Sequence, residues 1–144
     1  MGVISFHFDK FNIEKKKELE APIKVEIGMR VIDVKEEDIS LGSGKSEKVL
    51  RFFYEYKAEY QPNQAQIIIC GNLVYFEPEE DLKKVSEEWT KTKRMNTDIT
   101  RSIMNNVLMR CQIKALSLGQ DIGLPPQIKL PLVTKKAAKA DYTG

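Results

Sequence analysis

The sequence predicts an α+β domain: a four-stranded antiparallel sheet, then two helices packed on one face of it, then an extended, proline-rich C-terminal segment. Three observations predict it. From Lys48 to Phe76 the chain reads KVLRFFYEYKAEY, QPNQ and AQIIICGNLVYF, two long strands around one turn. Ile99, Ile103, Val107, Cys111 and Ala115 then recur every fourth residue, as on one side of a helix. Beyond that helix Pro125, Pro126 and Pro131 interrupt an otherwise apolar stretch, which excludes helix and central strand.

Val3–Phe8 alternates weakly, with Ile4, Phe6 and Phe8 on one face, and reads as a first strand continuing towards Phe11 and Ile13. Glu14–Glu20 (EKKKELE) reads as a charged, solvated linker. Pro22 opens a long strand, Ile23–Val34, whose odd positions are apolar; Gly28 inside it suggests a bulge or bend. Lys35–Ser46 (KEEDISLGSGKS) reads as a polar loop. Its Gly44-Lys45-Ser46 is not a phosphate loop. Position 39 is Ile39 where such a loop needs glycine, and a strand follows where the anion-holding helix should begin.

In the hairpin, the even positions Leu50, Phe52, Tyr54, Tyr56, Ala58 and Tyr60 form one apolar face, and the odd positions are mostly charged. Phe53 breaks that rule. Pro62 and Asn63 supply the turn. The next strand, Ala65–Phe76, is apolar on both faces, with Ile68, Cys70, Val74 and Phe76 backing Ile67, Ile69, Leu73 and Tyr75. Two apolar faces need two covers. The second cover is a helix of this chain, another subunit or a ligand.

Glu77-Pro78-Glu79-Glu80-Asp81 has the proline and the acids of a helix start, and Leu82, Val85 and Trp89 give that helix a thin apolar stripe. Asn96, Thr97 or Asp98 can cap the second helix, whose face is widened by Met104, Leu108 and Leu116 and whose end is expected near Gly119. Residues 1–133 form a single domain, and Thr134–Gly144 reads as a polar, disordered tail.

The chain has 144 residues, 31% of them charged, with a net charge of +2. That suits one domain with a real core and implies no strong electrostatic commitment to nucleic acid or membrane. No apolar run approaches a membrane span, and the N-terminus lacks a signal-peptide layout, so a cytoplasmic protein is expected. Cys70 and Cys111 read as buried reduced thiols in a strand and a helix. Catalysis is not expected. His7 is the one histidine, no carboxylate pair stands apart from the general charge, and cysteine and histidine lack the number and spacing of a metal site.

With four antiparallel strands and a long helix before it, Leu124-Pro-Pro-Gln-Ile-Lys-Leu-Pro-Leu-Val133 resembles the SecB export chaperones, in which a Pro-Gln-hydrophobic-polar-hydrophobic segment also follows the long helix. The match is nearly residue by residue at Pro126-Gln127-Ile128-Lys129-Leu130 and extends as a layout over residues 1–133. The resemblance implies a SecB-like fold and a holdase that needs neither ATP nor another cofactor. It also implies a homo-oligomer, a dimer or a tetramer, and unfolded polypeptide clients bound along apolar surface grooves. The residues expected to line those grooves are Phe53, Phe76, Trp89, Leu124, Pro125, Ile128 and Leu130.

Two departures bear on partners. The family usually has a further C-terminal helix, where this sequence has only the polar stretch Thr134–Gly144. Bacterial members use acidic surface to bind SecA, whereas this tail carries Lys135, Lys136 and Lys139, which puts SecA binding in doubt. The expected role is that of a SecB-like chaperone outside the usual export route. A nucleic-acid- or ribosome-associated protein is the alternative, from the basic stretch Lys91–Arg94, the lysines of the tail and aromatics on a sheet. An adaptor whose second sheet face is closed by a fixed partner is a third reading.

Overall fold

The computed structural model describes residues 2–40, 44, 46–76, 79–92 and 98–131. Four strands, β1 (Gly2–Lys15), β2 (Lys24–Ser40), β3 (Ser46–Gln61) and β4 (Ala65–Phe76), precede two helices, α1 (Glu79–Thr92) and α2 (Asp98–Asp121). The sheet is antiparallel throughout, in the order β1-β4-β3-β2. The α+β layout and the central hairpin therefore stand as the sequence predicts.

Alternation decides which face is buried. The even residues of β3 pair with the odd residues of β4: Phe52 with Leu73, Tyr54 with Gly71, Tyr56 with Ile69 and Ala58 with Ile67. This face meets Val85 of α1 and Ile103, Val107, Cys111 and Ala115 of α2 in one core cluster. Each of the larger side chains there, valine, leucine, isoleucine or phenylalanine, stabilises the fold by roughly 1.5–3 kcal/mol through the apolar area it removes from water. Along α2 the buried residues shrink from Val107 through Cys111 and Ala115 to Gly119, so the helix approaches the sheet most closely at its C-terminal end. A Cβ at Gly119 would stand 3.5 Å from both Ile67 Cδ1 and Leu124 Cβ.

Four expectations are corrected. β2 does not stop at Val34; it pairs with β3 as far as Ser40 opposite Ser46. The ladder needs only backbone groups, and a charged strand flanked by solvent satisfies them as well as an apolar one. The irregularity in β2 lies between Val31 and Asp33, not at Gly28, which pairs in register with Lys57. The stretch from Glu14 is no free linker. β1 runs to Lys15, and the buried Gln64 then accepts from the Glu20 N–H at 2.6 Å and donates to the Glu20 carbonyl at 3.1 Å, as a strand partner would. Finally, α2 continues past Gly119, and the left-handed residue beyond its end is Gly123, with φ at 75°.

Gly71 is the tightest point of the sheet. Tyr54 lies across it, and a Cβ there would overlap the Tyr54 hydroxyl and the His7 carbonyl oxygen. Gly28 has open space at the same position. Gly71→Ala should therefore destabilise by about 1–3 kcal/mol through overpacking. Gly28→Ala should be neutral or stabilising by up to about 1 kcal/mol. Urea titration of the two variants beside the parent chain measures both, and equal effects would refute the assignment of Tyr54 to this position.

Candidate functional site

β3 places three tyrosines on the covered face, each with a hydroxyl reaching a different element. Tyr54 donates to the His7 carbonyl of β1 at 2.9 Å, Tyr56 to Gln112 Oε1 of α2 at 2.5 Å, and Tyr60 to the Pro125 carbonyl at 2.5 Å. The rings are fully buried, so their hydroxyls must find partners within the protein. Burial pushes the phenols up: Tyr54 well above the usual range, and Tyr56 and Tyr60 to about 12. At Tyr56 a hydrogen bond from Gln127 acts in the opposite sense.

The segment after α2 is stitched down by these groups. Leu124 N–H donates to the Gly119 carbonyl at 2.8 Å, and the Leu124 side chain joins the core. Gln127, also buried, donates through Nε2 to the Gln112 carbonyl at 2.7 Å and to Gln112 Oε1 at 3.1 Å. Pro125 and Ile128 are half-buried, and Leu130 is 46% exposed. Residues 124–131 form neither helix nor strand, as the prolines predict, and bend at Gln127 and Ile128.

The opposite face of the sheet contributes no residue to that core cluster. Its middle is a polar chain that crosses all four strands. Arg51 donates to Glu37 at 2.8 Å and to Asn72 Oδ1 at 2.5 Å, and Asn72 Nδ2 donates to Asp9 at 2.7 Å. Asp9 reaches Asn72 because β1 bulges between Phe8 and Lys10. The Arg51 guanidinium holds the Glu37 carboxyl below the usual carboxylate range. Around this chain lie buried Val49 and Val74 and half-buried Phe53, Ile68, Cys70 and Phe76, with the Lys35 ammonium 5.4 Å from the Phe53 ring centroid. The second apolar face of β4 is thus covered in part by long side chains from the neighbouring strands.

A third surface runs along the edge strand β1 and α2. Arg110 lies 4.9 Å from the Phe6 ring centroid and Lys114 5.2 Å from that of Phe11, which sets the helix beside the strand. Between and beyond them Ile4, Phe8, Phe11, Met109 (57%) and Ile113 (64%) are exposed. Among the described residues, the outer edge of β1 carries no partner strand. Sequence reading placed Phe8 and Phe11 on a strand but did not single them out. The bulge at Asp9 puts both on the covered side, where an unbroken alternation would have separated an even from an odd position.

The seven residues expected to line a groove fall on different sides of the sheet. Phe53 and Phe76 lie on the open face. Leu124, Pro125, Ile128 and Leu130 lie on the helical side, with Leu124 in the core. Trp89 of α1 is 7% exposed. Lys93 and Arg94 of the basic stretch, and the whole tail from Thr134, lie outside the described residues. His7 is exposed and lends its main-chain carbonyl to Tyr54. Among the described residues no group of three potential metal ligands forms, and no helix is long and apolar enough to cross a membrane.

No family model matches the chain, and no curated protein does. Among solved structures it is similar to the SecB-like chaperone Rv1957 of Mycobacterium tuberculosis, in complex with a peptide from the HigA1 antitoxin Rv1956. The two share 10% sequence identity at a TM-score of 0.46, over 92% of this chain and 90% of that one. It is a likeness of layout only.

Two measurements check the site chemistry. Burial lifts Tyr56 and Tyr60 from 10.0 to about 12, so on unfolding they become stronger acids. Their stabilising contribution is complete below pH 10.0 and is lost as pH rises through about 12. Tyrosinate absorbance and near-ultraviolet circular dichroism should change together in that window; ionisation well before loss of structure would contradict the buried placement. The thiols lie on opposite faces of the sheet, Cys70 half-buried on the open face and Cys111 in the core, where burial raises its thiol to about 12. A thiol reagent should label Cys70 slowly in the folded protein and Cys111 only at the rate of unfolding.

Proposed function

We propose that this chain is an ATP-independent chaperone, a holdase that binds unfolded polypeptides through apolar surface, and that it works in the cytoplasm as a homo-oligomer. The observation that carries this reading is the amount of large apolar surface left uncovered. At least eight large apolar side chains are exposed among the described residues, on β1, β2, α2 and the segment after α2. Exposed apolar side chains scattered singly need no explanation, but those of β1 and α2 lie side by side along a strand edge. An unfolded chain offers apolar side chains and unpaired backbone, and such surface meets both with little demand on sequence. The Pro126–Leu130 motif, read from the sequence, supports the same class of protein.

The surfaces divide between two tasks in this proposal. The band of Ile4, Phe8, Phe11, Met109 and Ile113, with the unpaired β1 edge, serves self-association into a dimer or tetramer. Phe53 and Phe76 on one side, and Pro125, Ile128 and Leu130 on the other, are the accessible client contacts, with Trp89 and Leu124 beneath the surface supporting them.

Dilution of a denatured model protein into buffer, with and without this chain and without ATP, tests the proposal by light scattering. Suppression at near-stoichiometric amounts is expected. A Phe53→Glu, Leu130→Glu double variant should stay folded and lose most of that suppression. Trp89→Glu should instead unfold the protein, because a carboxylate would be buried there. A folded parent chain that suppresses nothing refutes the holdase reading.

A further inference from the structure

We infer that Asn72 is a positioning residue for the β1 surface. From the open face of the sheet its side-chain amide holds Asp9 in the bulge of β1, and the bulge keeps Phe8 and Phe11 on the helical side. The inference rests on the reading above that this surface serves self-association, and it names the residue that shapes the surface from behind.

Asp9 is one residue more than the ladder needs. Phe8 pairs with Gly71 and Lys10 with Cys70, which are adjacent on β4, so Asp9 has no partner position. In an unbroken strand Phe8 and Phe11, three residues apart, would point to opposite faces. With Asp9 set outside the count their rings meet instead, centroids 5.3 Å apart. Phe8 also meets Phe6 edge-on at 5.0 Å, and Phe6 stacks on Tyr54 at 5.4 Å. One row of rings therefore runs from the core out to the exposed side chains of the strand, and its last step crosses the bulge.

Asn72 is 8% exposed and stands on β4 between Phe53 of β3 and His7 of β1. Its two partners leave the amide a single orientation. A guanidinium has only donors, so Arg51 takes Oδ1, at 2.5 Å. A carboxylate has only acceptors, so Asp9 takes Nδ2, at 2.7 Å. The amide thus turns one donor on β3 into another donor aimed at β1. Glu37 steadies the guanidinium from the other side, at 2.8 Å. A carboxylate in place of the amide would keep Arg51 and repel Asp9. An aliphatic side chain would serve neither.

The test exchanges the two side chains in the full chain. Sedimentation velocity over a concentration series gives self-association, and hydrogen exchange is followed at the amides of Phe8, Asp9, Lys10 and Phe11 and of β3. The proteins are the parent, Asn72→Asp, and the double variant Asp9→Asn with Asn72→Asp, which restores one donor against one acceptor in the reverse direction. Asn72→Asp should quicken exchange around the bulge while β3 stays protected, and should weaken self-association several-fold. The double variant should bring both back to the parent values. A single variant that behaves as the parent does, an effect that the double variant leaves in place, or exchange quickened equally in β3 overturns the inference. A parent chain that is monomeric at every concentration refutes the self-association reading, and the exchange pattern of the three proteins then decides the positioning role by itself. If Asn72→Asp fails to fold, Asp9→Ala replaces it, since Asp9 is exposed and its loss leaves Asn72 with Arg51. Quickened exchange confined to the bulge then supports the inference, and unchanged exchange overturns it.

Discussion

Much of this fold hangs on three phenol hydroxyls in a row. The rings of Tyr54, Tyr56 and Tyr60 fill the middle of the core, and each carries a polar atom that water cannot reach. The solution is to aim each at a different neighbour: the edge strand, the long helix and the segment after it. The same strand that forms the hydrophobic floor thus also fixes where the other elements lie. Two glycines make room for this. Gly71 lets Tyr54 pass over β4, and Gly119 lets the end of α2 come down to Ile67 and Leu124. Neither glycine is there for a turn; both are there for close approach.

The open face solves a different problem. β4 is apolar on both sides, and a sheet with one uncovered face would expose half of it. Among the described residues no second layer covers it; a polar link from Glu37 through Arg51 and Asn72 to Asp9, with aliphatic stems and rings packed around it, covers it in part. Arg51 serves twice, its stem covering apolar surface and its guanidinium neutralising Glu37. The result is a face of mixed character, with Phe53 and Phe76 set at intervals among charges.

Alternation made the central hairpin and its buried face legible from the residues, and a fourfold spacing did the same for α2, because burial on one side leaves a periodic mark. The far half of β2 left no such mark. From Lys35 to Ser40 its side chains are mostly charged and none is fully buried, and only the partner strand says that it is a strand. Gln64 and Gln127 were missed for a related reason: a buried polar side chain that replaces a backbone partner looks, in a sequence, like any surface glutamine. The bulge at Asp9 was also hidden. Since one inserted residue reverses the side of everything after it, Phe8 and Phe11 came to share a side that simple counting denies them. Of the candidate site, the absence of helix and strand in the proline segment could be read in advance. Its attachment to Gln112 and Tyr60 could not, because that depends on where α2 ends.

The hairpin of β2 and β3 reaches beyond β4. Past Leu50, which still pairs with Tyr75, the two strands continue alone to Ser40 and Ser46. This overhang carries Glu36, Glu37, Asp38 and Glu47 against Lys35 and Lys48. The two borders of the sheet are therefore unlike: β1 is rich in aromatic side chains, and the far end of β2 bristles with carboxylates that repel a second copy of themselves. Among the described residues, the two outer edges of the sheet therefore differ in the neighbour they favour: β1 sets aromatic rings beside its backbone, and the far end of β2 disfavours a like-charged strand.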